Sequence, residues 1–131
     1  MRTEYTERLK NLKIKLLKMG SMVQQIVEES LQALMQQDME KADTIHVMDD
    51  QIDALELEIE VECMNLIALQ QPMAKDLRII GTILKAITDL ERMGDNAVNI
   101  ARQTKLIGRD PFIKPLVDIP RMARLLSLIH I

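Results

Sequence analysis

Two carboxylates stand four residues apart in the segment DLERMGDNAVNIAR, which runs from Asp89 to Arg102. On a helix, positions separated by four residues lie one above the other on the same face. Glu91 and Asp95 would therefore present their oxygens side by side, and carboxylate oxygens are the ligands that hard cations prefer in proteins. The spacing predicts a cation site on one face of a helix.

A second pair with the same spacing lies upstream, in the segment MDDQID, where Asp49 and Asp53 are four residues apart. If the two helices pack together, the four carboxylates can form one shared, oxygen-rich site. Such a site favours Mg, Mn or Fe. His46 is isolated in the sequence, so no His/Cys site for Zn is predicted, and Zn could bind only through carboxylates. The prediction is therefore a metal site at Glu91, Asp95, Asp49 and Asp53.

The residues alone leave a second interpretation open. Three aspartates between positions 49 and 53 are also typical of an acidic helix face that is simply solvated. Glu91 could instead form an ion pair with Arg78, with Arg92 or with a lysine on another helix, which would offset the cost of removing its charge from water. Spacing does not distinguish a cation site from these alternatives.

Long amphipathic helices must position these carboxylates. Apolar residues recur by fours and threes from Tyr5 to Ala33, which predicts one helix over about residues 3–36. Asp38 is placed to cap a second helix, whose apolar seam runs from Ile45 to Leu66. The predicted seam of the third helix consists of Leu77, Ile80, Leu84, Ile87, Glu91, Gly94, Val98 and Ala101.

Glycine and proline mark the ends of these helices. Pro72 suits the first turn of the third helix, where its missing N–H is not needed, and Gly108 suits its end. A further helix is expected to start near 111–115. Gly20 lies inside the first helix, where we expect a close helix crossing to compensate for its low helix propensity. The short links predict an all-α fold, an elongated antiparallel three-helix bundle with the start of a fourth helix.

Composition agrees with this fold and excludes several classes of protein. The 131 residues are 47% hydrophobic and 28% charged but only 2% aromatic, which is typical of amphipathic helices and not of sheets. The net charge is -3 and the basic residues are scattered, so no nucleic-acid partner is expected. A charged N-terminal segment, the lack of a long apolar run and the single Cys63 predict a cytoplasmic protein.

Several segments together resemble the first repeat of the PhoU family. The resemblance rests on ALQQPMAKDLRIIGTILKAITDLER and DLERMGDNAVNIAR, and also on KMGSMVQQIVEESLQAL and DMEKADTIHVMDDQIDALELEIE. It implies a first three-helix repeat over 1–107 and a linker with the opening helix of a truncated second repeat over 108–125. The last residues, 126–131, read LSLIHI, which is similar to a translated sequencing adaptor and is expected to be an artefact.

The resemblance also implies a function. PhoU proteins are regulators, not enzymes, and couple a phosphate ABC transporter ATPase to a sensor histidine kinase, so that the membrane is reached only through partners. Glu91 and Asp95 match the family's acidic motif on the third helix, and Asp49 and Asp53 occupy the corresponding stretch of the second helix. The expected metals are Fe, Mn, Mg or Zn held by carboxylates, and no organic cofactor is expected. The chain is expected to form a homo-oligomer, such as a homodimer.

Two other functions remain open at this point. A carboxylate-bridged metal oxidase would also use a helical bundle, but the sequence has no Glu-x-x-His pair of the kind that ferritin-like sites contain. A purely structural helical interaction module would explain the heptad pattern but not a glutamate within the seam.

Overall fold

The computed structural model describes residues 2–70, 74–108, 110 and 118–130. Within these residues there are four helices: α1 (Arg2–Gln36), α2 (Met39–Gln70), α3 (Ala74–Ile107) and α4 (Asp118–His130). The first three helices pack pairwise against one another in an up-down-up bundle, and α4 packs against α1. The predicted all-α architecture, a three-helix bundle with the start of a fourth helix, is confirmed.

The core follows the two predicted seams of α1 and α2. Both seams face the core because each helix turns an apolar stripe toward the other two helices, and only Tyr5, Leu16 and Met48 of the two seams are partly buried. Each fully buried Ile, Leu or Met side chain contributes roughly 1.5–3 kcal/mol of transfer free energy. The largest of these side chains are Leu12, Met19, Val23 and Ile26 on α1, and Ile45, Ile52, Ile59 and Leu66 on α2.

The seam predicted for α3 is half wrong. Leu77 is 46% exposed, and Leu84, Glu91 and Val98 are only partly buried. The row of Ile80, Ile87, Gly94 and Ala101, here called the shared row, belongs both to the predicted seam and to the buried face. Apolar residues lie on both sides of this row, so the sequence does not decide which of the two neighbouring rows is buried. Packing against α1 and α2 at the same time decides it. The buried residues of α3 are Ile80, Ile83, Ile87, Gly94, Ala97, Ala101 and Thr104.

The predicted helix boundaries at Asp38 and Gly108 are confirmed. Asp38 Oδ1 accepts a hydrogen bond from the backbone N–H of Lys41 at 3.1 Å, which caps α2. Gly108 has a φ of 63° and donates its N–H to the carbonyl of Thr104 at 3.0 Å. A residue in this left-handed backbone conformation commonly ends a right-handed α-helix. Pro72 and the predicted helix start near 111–115 lie outside the described residues.

The close crossing predicted at Gly20 is wrong. A Cβ atom built at Gly20 has no other heavy atom within 4 Å. Gly20 instead lines a small apolar cavity between α1, α3 and α4, together with Leu90 and Met93 of α3 and Ala123 of α4. The close approach occurs at Gly94, where α3 faces α2.

The described helices were also compared with the requirements of a membrane span. The first three contain 35, 32 and 34 residues, which is long enough to cross a bilayer. Charged residues interrupt each of them, and no described helix is sufficiently apolar over that length.

Candidate metal centre

The four carboxylates predicted from sequence meet in the groove between α2 and α3. Oxygen atoms of Asp49, Asp53 and Asp95 all lie within 4.8 Å of one another. A second group, formed by Asp53, Glu56 and Glu91, satisfies the same distance. We refer to these five residues as the carboxylate cluster. Antiparallel packing produces it because α2 and α3 each contribute acidic residues at one-turn spacing to the edge that they share.

Glu56 was missed by the sequence analysis. It follows Asp53 by three residues, so it continues the face that carries Asp49 and Asp53. The extended pattern of spacings four and three was present in the sequence and could have identified it. Because Asp53 belongs to both groups, the cluster is two adjoining carboxylate sets that share one residue.

Gly94 provides the space that the cluster occupies. A Cβ atom at position 94 would lie 2.9 Å from Oδ1 of Asp49 and 4.0 Å from two carbons of Ile52. Any larger residue at this position would displace the Asp49 carboxylate. Glycine on α3 therefore allows an aspartate on α2 to point into the interface between the two helices.

Oδ1 of Asp49 is buried and has no hydrogen-bond partner. A buried carboxylate oxygen without a partner is costly, because it loses its hydration without compensation. A cation bound between Asp49, Asp53 and Asp95 would supply the missing interaction. The donor set also fits such an ion, since it consists entirely of carboxylate oxygens.

Burial and mutual repulsion raise the pKa values of Asp49, Asp53 and Glu56. The pKa of Asp49 is raised to about 6, first by burial and then by the charges of Asp53 and Asp95. The pKa of Glu56 is raised to about 7, first by burial and then by the charge of Glu91. The pKa of Asp53 is raised by the same two causes, burial first and then Asp95 and Glu91. The cluster is therefore a site of excess negative charge.

Protein cations do not neutralise this charge within the described part of the chain. The ion pairs there are Arg8–Glu62, Lys15–Glu58 and Lys105–Asp43, and none includes a member of the cluster. Among the described residues, Glu91 therefore forms no ion pair with Arg78, Arg92 or a lysine.

Thiol and imidazole groups do not contribute to the centre. Among the described residues, the groups with metal-binding distances contain carboxylates alone. Cys63 is fully buried in the core, and burial raises the pKa of its thiol to about 11, so it stays protonated. It is the small buried hydrophobe that its position in the α2 seam indicates.

A family model described as the PhoU domain matches residues 16–104. The chain belongs to the PhoU family. The family resemblance noted in the sequence is thus confirmed over the part that forms the three-helix bundle.

Individual PhoU proteins agree with this assignment. The chain is 42% identical over 119 residues to a phosphate-specific transport system accessory protein PhoU homolog from Aquifex aeolicus, covering 91% of this chain and 54% of that protein. It is 47% identical over 98 residues to a homolog of the same description from Clostridium acetobutylicum, covering 74% of this chain and 45% of that protein. The chain spans about half the length of the curated relatives that it matches.

A solved PhoU structure shares the fold. The crystal structure of PhoU from Pseudomonas aeruginosa superposes with a TM-score of 0.90 at 31% sequence identity, covering 96% of this chain and 61% of that one. The relatives are described as accessory proteins of a phosphate-specific transport system, which associates the family with phosphate transport.

Proposed function

We propose that this PhoU chain regulates phosphate uptake and phosphate-starvation signalling from the cytoplasm, by binding cations and protein partners and not by catalysis. Its family membership and the description of its relatives as transport accessory proteins support the regulatory role. The observation that carries the cation part is the buried, unpartnered Oδ1 of Asp49 inside a cluster of five carboxylates.

The ligands of the proposed metal centre are Asp49, Asp53 and Asp95 for one cation and Asp53, Glu56 and Glu91 for a second. Asp53 lies in both groups, so it would be a ligand shared by the two cations. Hard divalent or trivalent cations fit these ligands best, so Mg, Mn and Fe are expected to suit the site better than Zn. A cation would screen the mutual repulsion of the carboxylates and thereby hold α2 against α3.

Catalysis is not part of the proposal. A hydrolase needs a nucleophile or a positioned base beside its metal, whereas all five carboxylates of the cluster are assigned here as ligands of the proposed cations. The oxidase alternative lacks a Glu-x-x-His pair anywhere in the sequence. A purely structural module would not require a buried, unpaired aspartate oxygen at a helix interface.

The proposed partners are the phosphate ABC transporter ATPase and the sensor histidine kinase, and the chain is expected to contact the membrane only through them. A second three-helix repeat is part of this proposal, with residues 108–125 as its linker and opening helix after the first repeat at 1–107. The apolar cavity between α1, α3 and α4 supports it, because α4 covers only part of the groove that α1 and α3 form. Self-association through the remaining apolar surface would give the proposed homo-oligomer.

The deciding experiment measures cation binding. Calorimetric titration with Mn and elemental analysis would compare the wild type with Glu91→Ala/Asp95→Ala. A matched control, Glu58→Ala/Glu62→Ala, also removes two carboxylates one turn apart, but from the edge of α2 that faces α1. We expect Mn binding in the wild type and the control and its loss in the cluster variant. Equal binding by all three proteins would refute the metal centre.

The partner part is tested separately. Purified transporter ATPase and sensor kinase would each be titrated with the chain, with Mn and with a chelator. We expect saturable binding to at least one of them, while absence of binding to both, under both conditions, would refute the regulatory role as proposed.

A further inference from the structure

Helix α2 carries a second apolar stripe on the side that faces away from the bundle. Leu57, Val61 and Met64 are 62%, 50% and 55% exposed. They follow one another by four and three residues, and the exposed Ala54 and Ala68 continue the same spacing in both directions. We call these five residues the outer stripe. It extends over about 15 residues, or roughly 22 Å along the helix.

The outer stripe is distinct from the core seam of α2. The core seam is fully buried at Ile52, Ile59 and Leu66. At 100° per residue, the outer stripe lies on the opposite side of the helix from these positions. A helix that packs in one bundle needs one apolar stripe, and two stripes in heptad spacing are typical of a helix that packs against partners on both sides.

The surroundings of the outer stripe are acidic. Seven carboxylates and no Lys or Arg occur between positions 49 and 62. Lys15 and Arg8 of α1 neutralise two of them, Glu58 at 2.7 Å and Glu62 at 3.1 Å, on the edge that faces α1. The carboxylates outside these ion pairs are Asp49, Asp50, Asp53, Glu56 and Glu60.

The position of these carboxylates defines the charge that a partner must carry. Asp53 and Glu60 border the outer stripe on the edge that faces α3, and Asp50 lies in line with it one turn before Ala54. A helix that packs on the stripe would place its own flanking residues opposite Asp53 and Glu60. Basic residues there would form attractive pairs, and acidic residues would repel.

We propose that the outer stripe is the docking surface for a basic amphipathic helix of a partner protein. The partner helix packs its apolar residues along Leu57, Val61 and Met64 and places Lys or Arg beside Glu60 and, in the metal-free chain, also beside Asp53. This proposal rests on the proposed function in one respect, because a regulator needs a protein partner. It does not depend on the metal centre.

Charge also excludes other occupants of this surface. Two copies of the outer stripe packed antiparallel on each other would bring the edges with Asp53 and Glu60 together, which is unfavourable. An anionic lipid surface would be repelled by the same carboxylates. A basic helix buries the apolar residues and offsets the charge at the same time.

Two synthetic helical peptides test the proposal. Both have about 21 residues with Leu in heptad spacing, and the flanking positions are Lys in one peptide and Glu in the other. Binding to the whole chain would be followed by fluorescence anisotropy in the presence of a chelator, so that failure of the metal centre cannot affect the result. We expect saturable binding of the Lys peptide, weakening with salt, and no binding of the Glu peptide.

Surface variants identify where the peptide binds. Leu57→Gln/Val61→Gln is expected to weaken binding of the Lys peptide by roughly tenfold or more. The control Leu17→Gln/Leu106→Gln replaces two residues that are 74% and 73% exposed elsewhere, and should leave binding unchanged. Because all four positions are exposed, circular dichroism should show the same helicity in every variant.

Three results would overturn the proposal. One is equal binding of the Lys peptide to the wild type and to Leu57→Gln/Val61→Gln, which would mean that charge alone attracts it. Another is equal binding of the Lys and Glu peptides. The third is a dimer that Leu57→Gln/Val61→Gln dissociates in sedimentation experiments, which would assign the surface to a second copy of the chain.

Discussion

Gly94 on α3 lies against the carboxylate of Asp49 on α2, so closely that a Cβ atom at position 94 would be 2.9 Å from Oδ1 of Asp49. Glycine is a poor helix former, and its presence in the middle of a 34-residue helix costs about 1 kcal/mol relative to alanine. In return, the carboxylate of Asp49 can point between the helices toward Asp53 and Asp95. Helix stability and the geometry of the carboxylate cluster thus make opposite demands at this position.

Substitutions at Gly94 and Gly81 distinguish the effect on helix stability from the effect on the carboxylate cluster. In Gly94→Ala, the gain of about 1 kcal/mol in helix propensity should be offset by displacement of Asp49, and Mn affinity should fall. Gly81→Ala is the matched control, because a Cβ atom there meets no heavy atom within 4 Å. It should stabilise the chain by up to about 1 kcal/mol and leave Mn affinity unchanged. Urea unfolding and Mn titration measure the two effects, and undiminished Mn affinity in Gly94→Ala would contradict the prediction.

The raised pKa values predict how stability depends on pH without metal. The pKa of Asp49 rises from 3.8 to about 6, and that of Glu56 rises from 4.5 to about 7. At a pH between the unfolded and the folded pKa of each group, the folded state therefore binds more protons than the unfolded state. The stability that this proton binding contributes is fully present below about pH 4 and is lost as the pH rises through about 6 to 7.

Thermal unfolding in a chelator measures this dependence. We expect the unfolding midpoint to be lower at pH 7.5 than at pH 5, and saturating Mn to remove most of the difference. The variant Asp49→Asn/Glu56→Gln, which cannot titrate at these positions, should show a flatter profile. A wild-type midpoint that rises between pH 5 and pH 7.5 in chelator would have the wrong sign for this explanation.

Removing carboxylates should not weaken the metal-free bundle. Because like charges oppose one another in the cluster, Glu91→Ala/Asp95→Ala should be as stable as the wild type, or slightly more stable, in chelator. With Mn at about 100 times its dissociation constant, the wild type should gain about 2.7 kcal/mol and the variant nothing. Strong destabilisation of the variant in chelator would show that these carboxylates have a structural partner within the protein.

The chain should have no enzymatic turnover. Phosphate esters, nucleotides and peroxide should remain unchanged by the protein loaded with Mn or Fe, because every carboxylate of the cluster is then a proposed metal ligand and none is left free to act as nucleophile or base. Colorimetric phosphate release and peroxide consumption are sufficient assays. A metal-dependent rate that disappears in Glu91→Ala would favour the oxidase or hydrolase interpretation.

A second three-helix repeat should cover the groove between α1 and α3. Joining such a repeat to residue 125 should raise the unfolding midpoint and reduce self-association, because it buries the apolar surface around Val27, Leu90 and Met93. Sedimentation and thermal unfolding of the extended and the present chains provide the comparison. An unchanged midpoint and unchanged self-association would show that the groove is not the site of this contact.

The local chemistry of the sequence was sufficient for the helices and for part of the cluster. Heptad spacing on α1 and α2 predicts a long apolar seam on each helix, and packing buries that seam. Asp38 and Gly108 mark helix ends because capping depends on the side chain and backbone of the residue itself. The spacing of four between Asp49 and Asp53 places them on one helix face without any tertiary information.

Only the tertiary structure decided which face of α3 is buried. Apolar residues such as Leu84 and Ile83 border the shared row on either side, and packing against both α1 and α2 selects the row of Ile83. This choice places Glu91 at the edge that faces α2, within 4.8 Å of Asp53 and Glu56 oxygens. It also places the close approach at Gly94 and not at Gly20. A periodic pattern gives spacings along one helix, whereas the distance between residues on two helices depends on how both are rotated about their axes.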